Sequence, residues 1–236
     1  MKNILTTIAL AGITLQSVCA GDITGTVTFK GKRPEEAAIT PLKDDAQCGK
    51  LHPTTPTTHF YEVGPNQEFA DVIVSLQGPG LSGKSTGASA PAAVLDQKGC
   101  EYIPSIMAVQ TGQKIQVKNS DPVLHNVHDL PATSGNDEKN VAQAPNGPPL
   151  AFSFAKQEEF LKFKCDVHGW MFAWVSVYDH PYFAVTDKTG TFKISNVPAG
   201  KYKLQAAHRK AGKLVKEIEV KEGEPLKVDF LIEAKE

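Results

Sequence analysis

The chain has 236 residues, 41% hydrophobic and 22% charged, which is ordinary globular composition and excludes a disordered or fibrous protein. Its 25 Lys and Arg against 26 Asp and Glu leave no cationic field for nucleic acid and no polyanionic surface for a polycation.

Lys2 precedes an apolar run from Ile4 to Leu15, and Val18-Cys19-Ala20 closes the stretch before Gly21. This reads as a signal peptide cleaved after Ala20, so the protein is expected to be exported, periplasmic or secreted. A transmembrane anchor needs a longer uninterrupted run than one carrying Thr6, Thr7 and Thr14, and no later segment is apolar enough to span a bilayer. The residues before Cys19 do not suit a lipoprotein. Removing residues 1–20 leaves 24 basic against 26 acidic residues and three cysteines, Cys48, Cys100 and Cys165.

Ile23, Gly25, Val27 and Phe29 alternate with threonines, a period-two pattern that predicts a first strand over 22–29. Residues 30–65 are rich in Pro, Thr, Lys and Asp and read as a long connection carrying Cys48. A second, well-buried strand is expected over 71–76. The Gly-, Ser- and Pro-rich stretch 78–91 reads as a loop with nothing to add to a core.

Ile106 to Val109, the turn Thr111-Gly112-Gln113 and the alternation from Lys114 to Lys118 predict a hairpin. Leu124 to Leu130 holds two histidines. Phe152 and Phe154 begin another strand, Phe160 and Phe163 lead into Cys165, and a further strand is expected from Met171 to Tyr178. From His180 the pattern changes to short strands at regular spacing, over 183–186, 191–195, 201–208, 214–220 and 226–232, as in a small β-sandwich. No twelve-residue stretch has helical periodicity, so the expected class is all-β.

An odd cysteine in an oxidising compartment needs a reason to stay reduced, and metal ligation is one. Cys48 and Cys100 both lie in polar or Gly-containing loops and are paired here as a disulfide, a staple worth about 2–4 kcal/mol. That leaves Cys165. Leu124-His125-Asn126-Val127-His128 and Cys165-Asp166-Val167-His168-Gly169-Trp170-Met171 together offer a thiolate, imidazoles and a thioether. A metal that shuttles between Cu(I) and Cu(II) wants such a mixed set, whereas zinc has little use for Met. Phe163, Val167, Trp170 and Phe172 are expected to exclude water from it.

These two segments resemble the ligand segments of the cupredoxins, most closely the amicyanins and then plastocyanins and pseudoazurins, where His-Asn-x-His and Cys-x-x-His-x-x-Met occur in this order. The resemblance implies a Greek-key β-sandwich with one type 1 copper per chain. It makes His125, Cys165 and His168 the ligands, Met171 the axial group and Asn126 the residue that ties the two ligand loops together. His128 matches a non-ligand, and Gly169 stands where the amicyanin pattern has Pro. In the same family the second imidazole, here His168, links metal to surface, so His168 and Trp170 form the expected electron exit.

The segments 186–194 and 197–204 resemble the carboxypeptidase regulatory-like, transthyretin-like module of secreted proteins, whose first strand is similar to 23–29. The whole layout resembles methylamine-utilisation-like, plastocyanin-like secreted proteins. The expected organisation is a signal peptide (1–20), an N-terminal strand and loop (21–68) pairing with the C-terminal module, a cupredoxin domain (69–179) and a carboxypeptidase regulatory-like module (180–236). The remaining histidines, His52, His59, His180 and His208, lack ligand spacing and read as solvent or turn residues.

The function expected is one-electron transfer between redox protein partners, without catalysis. Copper storage, delivery or sensing is one alternative, and a glycan-binding or interaction module with a secondary copper site is another. The nearly neutral chain carries no sign of which partners it meets.

Overall fold

The computed structural model describes residues 20–233, so the expected signal peptide, Ala20 apart, lies outside the described residues. β1 (Gly21–Lys30) is followed by a long connection holding α1 (Thr40–Asp44) and a 3-10 turn at Cys48–Leu51. Next come β2 (Ile73–Gln77), β3 (Ala93–Gln97), β4 (Tyr102–Ile103), β5 (Ile106–Gln110), β6 (Ile115–Asn119), β7 (His125–Leu130) and β8 (Lys139–Gln143). β9 (Leu150–Phe152), β10 (Glu158–Lys164), β11 (Phe172–Tyr178) and β12 (Phe183–Val185) lead into the last stretch. That stretch holds β13 (Thr191–Val197), β14 (Gly200–His208), β15 (Gly212–Val220), β16 (Leu226–Lys227) and β17 (Phe230–Glu233). The protein is all-β.

Four sheets pair into two sandwiches. In the first, the sheet β5-β11-β10-β7-β8 faces the sheet β4-β3-β6-β9 across a core that includes Leu95, Val109, Ile115, Val117, Phe152, Leu161, Phe163 and Val175. In the second, β1 with β13, β16 and β17 faces β12-β2-β14-β15 across Ile23, Val27, Phe29, Val74, Leu76, Phe192, Leu204 and Phe230. The alternation in β1 is what permits this: Ile23, Val27 and Phe29 are buried while the threonines between them are half-buried. A small third cluster of Ile73, Ile106 and Tyr178, with Trp174 and Phe183 against it, joins the two sandwiches.

Several expectations are corrected. The 106–118 hairpin does not form: β5 pairs with β11 and β6 with β3 and β9, so the turn at Thr111–Gln113 carries the chain from one sheet to the other. Alternation specifies which face of a strand is buried and says nothing of its neighbour. For the same reason β2, placed by its sequence with residues 69–179, hydrogen-bonds instead to β14 and β12 of the second sandwich. The 78–91 loop does contribute to a core, because Leu81 is buried in the second sandwich while Ser82 and Gly83 bond the Asp179 carboxylate at 2.7 and 3.2 Å. The single strand expected over 226–232 is broken, since the Asp229 side chain accepts the Thr26 N–H at 2.8 Å where a backbone carbonyl would have stood. Gly25 permits this close approach: a Cβ there would sit 1.8 Å from the Val228 carbonyl oxygen.

His180 and His208 are not solvent residues either, being 4% and 3% exposed. Burial pushes His208, whose ring is tilted against that of Phe69 with centroids 4.3 Å apart, down to about 4. Asp71 moves the other way, pushed up to about 6 by burial and then by Glu62. His208 therefore contributes stability above pH 6.5 that is lost as pH falls through 4, while Asp71 contributes stability below 3.8 that is lost as pH rises through 6. The two oppose each other across one window, so each is visible only when the other stays. In His208→Phe, the penalty of the substitution is expected to be smaller at pH 4.5 than at pH 7 by about 2 kcal/mol. Urea midpoints of both chains at the two pH values check this, and equal penalties would refute the assignment.

Candidate metal centre

β7 and β10 are neighbours in one sheet, with His128 opposite Lys164, so the start of β7 and the end of β10 lie at the same edge of the first sandwich. His125 opens β7 and Cys165 follows β10 directly. A tight loop then returns to β11, closed by the Cys165 N–H on the Met171 carbonyl at 3.2 Å and the Met171 N–H on the His168 carbonyl at 2.9 Å.

His125 Nδ1 lies 2.9 Å from His168 Nδ1, and Cys165 Sγ lies 4.0 and 3.7 Å from these two nitrogens. All three side chains are buried, at 0%, 2% and 6% exposure, and Met171 packs beneath the loop in the same core. Two imidazole nitrogens and a sulphur this close, about one metal–ligand bond length from a common centre, suit an ion bound at ~2.0–2.3 Å. The donor chemistry, a thiolate with two neutral imidazoles, fits copper.

Electrostatics prepare the donors. Burial pushes the Cys165 thiol up, yet His125 and the backbone N–H groups of Asn126, His168 and Val167 outweigh it and hold the thiol below its ordinary value. Burial lowers His168, and the neighbouring His125 adds to this, so His168 is held neutral as a ligand must be. Burial opposes the charged form of His125, but the Asp121 carboxylate on its Nε2 at 2.9 Å raises it overall. That carboxylate also fixes which ring nitrogen faces the site.

Asn126 behaves as expected of a tie between the loops. Its side-chain oxygen accepts the Asp166 N–H at 2.6 Å, the Val167 N–H at 3.3 Å and the Cys165 thiol at 3.3 Å, and its own N–H points at the sulphur from 3.5 Å. Asn126→Ala leaves two part-buried N–H groups without their acceptor and is expected to cost about 1 kcal/mol. Amide exchange of residues 165–171 should rise with it; unchanged exchange would show that the loop holds itself.

His128 stands apart: its nitrogens bond Asp166 and Glu138, each at 2.8 Å, on the half-buried outer face of the sheet. Val167 does not shield the centre, being 55% exposed, whereas Phe163 is fully buried and Trp170 and Phe172 half-buried. His168 keeps 6% of its surface exposed. Leu42 of α1 and Ile39 enter the core that contains Cys165 and Met171, and Cys48 packs with them, so the 39–52 connection closes this end of the sandwich. Trp170, whose ring lies 5.1 Å from that of His168, borders a cleft of about 960 Å³ with Phe60, Met171 and Phe172.

Cys48 and Cys100 form the expected disulfide, with Cα atoms 5.8 Å apart. Gly99 and Cys100 both adopt left-handed backbone, φ +69° and +54°, which aims their successive N–H groups at the Asp121 carboxylate, 2.6 and 2.8 Å away. Asp121 thus joins the bridge to His125. His52 Nε2 adds a 2.7 Å bond to the Gly99 carbonyl, and Trp170 Nε1 donates to the Cys100 carbonyl at 3.1 Å. Sequence reading missed Asp121; the only signal was a carboxylate four residues before His125.

No protein-family model and no curated protein matches the chain. Among solved structures it is similar to a copper-containing nitrite reductase from Thermus scotoductus SA-01, at 16% identity and a TM-score of 0.34. That match covers 38% of this chain and 23% of the reductase, of whose length the chain spans less than a quarter. It is also similar to two amicyanin mutants in the Cu(I) form, at 19% and 20% identity, each covering 44% of this chain. The matches take in 97% and 98% of those chains, with a TM-score of 0.33 in both cases.

Proposed function

We propose that this is an exported copper protein that carries one electron at a time between periplasmic or extracellular redox proteins. The observation that carries the reading is the convergence of the Cys165 sulphur and two imidazole Nδ1 atoms in a buried pocket. Copper bound there supplies a one-electron couple, Cu(I)/Cu(II). His125, Cys165 and His168 would hold it as a type 1 site, one per chain, with Met171 offering a thioether as a weaker fourth donor.

The protein's own groups do the rest. Asp121 and Asn126 fix the donors from outside, so that they move little when charge changes. Phe163 and the 39–52 connection exclude water. His168 and Trp170, whose rings lie 5.1 Å apart, form the route to the surface, and the partner meets the chain on the Trp170–Phe172 side. Among the described residues no helix is long and apolar enough to cross a membrane, and export rests on the signal peptide. The second sandwich is read as a non-catalytic accessory module. Copper storage or delivery is the second reading, favoured by the closed cover over His168.

Visible absorption and EPR of the copper-loaded, oxidised protein test the proposal. An intense thiolate-to-copper band with narrow copper hyperfine splitting is expected. An ordinary tetragonal copper spectrum would defeat the type 1 assignment, and slow exchange with a small redox protein despite a blue spectrum would favour storage.

A further inference from the structure

In β10 and β11, Leu161, Phe163, Ala173 and Val175 point into the core of the first sandwich, which turns Lys162, Phe172 and Trp174 to its outer face. On that face cations and aromatic rings alternate. Lys162 Nζ lies 5.6 Å from the ring centre of Phe172 and 5.7 Å from that of Trp174, its cross-strand neighbour. Arg209 Cζ lies 4.0 Å from the Trp174 ring centre, and Lys210 Nζ lies 4.3 Å from that of Phe60, which stacks on Phe172 at 5.9 Å. The run Lys210–Phe60–Phe172–Lys162–Trp174–Arg209 is therefore continuous. It draws on the long connection, on β10 and β11, and on the turn between β14 and β15 of the second sandwich.

The rings orient these cations without neutralising them. Among the described residues no carboxylate pairs with Lys162, Arg209 or Lys210, whereas their basic neighbours in sequence, Lys164 and Lys213, reach Asp166 and Glu159. The carboxylates of the adjoining segments are engaged elsewhere: Glu36 accepts the N–H groups of Phe60 and Tyr61, and Glu159 holds Gln205 and Lys213. A chain with 26 acidic against 25 basic residues has carboxylates enough to pair these three, and like charges gathered on one strip repel. Arg209 and Lys210 are adjacent yet splay to different rings, so the charges are spread along the strip and do not aim at one point. That suits an extended surface better than a single small anion. The strip also starts beside Trp170, because Phe60 and Phe172 border the same cleft. We infer that it is the docking face for an acidic protein surface, and that the second sandwich takes part in docking by supplying two of its three cations. That this partner is a redox protein rests on the function proposed above. Arg and aromatic side chains already held in place lose little freedom on contact, and unpaired cations steer the encounter.

The probe is a short peptide of alternating Glu and Gly, titrated at low salt into the copper-free chain with its disulfide intact while amide and indole N–H shifts are followed. Shifts are expected to concentrate on the Trp174 indole and on the amides of Phe60, Phe172, Trp174, Arg209 and Lys210, and to fade as salt is raised. The double variant Lys162→Gln, Lys210→Gln is expected to weaken binding about tenfold. Lys201→Gln with Lys203→Gln removes the same charge from exposed positions of β14 and is expected to change it by less than about twofold. Equal losses in the two double variants overturn the inference, and so do shifts scattered over the other lysines of the natural chain. An oligonucleotide of the same charge that binds the strip more tightly than the peptide would assign it to nucleic acid instead. The titration contains no copper, so it is independent of the centre. A blue copper spectrum without peptide binding sinks the strip alone, whereas binding with an ordinary tetragonal copper spectrum supports the strip and sinks the electron carrier.

Discussion

Cys165→Ala is expected to abolish the copper–thiolate absorption completely while the far-ultraviolet circular dichroism stays that of a β protein. The thiolate is the source of that absorption, and no other free cysteine exists among the described residues to replace it. The side chain is small and 2% exposed, so its loss costs about 1 kcal/mol of packing, well within what a two-sandwich protein tolerates. The Asn126 side-chain oxygen keeps its two backbone donors from Asp166 and Val167, so the loop stays closed. Persistence of the absorption in this variant would remove Cys165 from the centre.

Reducing the Cys48–Cys100 bridge is the second large effect. The bridge closes a loop across 52 residues of sequence, for which chain entropy predicts a loss of about 4 kcal/mol. The loss is not spread evenly. Residues 39–52 are held to the first sandwich by Leu42, Ile39 and the bridge, and by Lys43 bonding the carbonyls of Gly49 and His52 within the segment. With the bridge open, amide protection should fall first in this segment and in the Gly99–Cys100 turn, then at His125, whose Asp121 loses its fixed N–H donors. Denaturant midpoints with and without reductant give the total, and residue-resolved hydrogen exchange gives its distribution. A midpoint shift with unchanged exchange in 39–52 would show that the cover stands without its staple.

The donors of the centre were legible because four unusual side chains fell into two short segments, and the odd cysteine was legible by counting. The disulfide followed from the same count. What surrounds the donors was not legible. An aspartate four residues before a histidine is common, and nothing in its spelling says that two left-handed residues at Gly99 and Cys100 will also point at it. The cover carries no such signal, because Ile39, Leu42 and Cys48 are too few and too irregularly spaced to make a periodic pattern, yet all three are buried. Strand positions were recovered to within a residue or two where alternation was clean, as in β1 and β14. Strand partners were not, because β2 and β5 carry buried runs that fit any sheet and the alternation of β6 marks a face without naming a neighbour.

β1 sits inside a sheet whose other members come from the far end of the chain: Thr26 meets Asp229 across 203 residues. Its parallel neighbours, β16 and β17, are the last strands described. A chain synthesised N-terminus first therefore presents β1 long before anything exists for it to pair with. The first sandwich, with both ligand segments and the bridge, can be complete while β1 and β2 still wait for their partners among β12 to β17. Synthesis thus favours a fixed order, with the first sandwich closing first and the second closing last, and the strand born earliest is among the last to find its place.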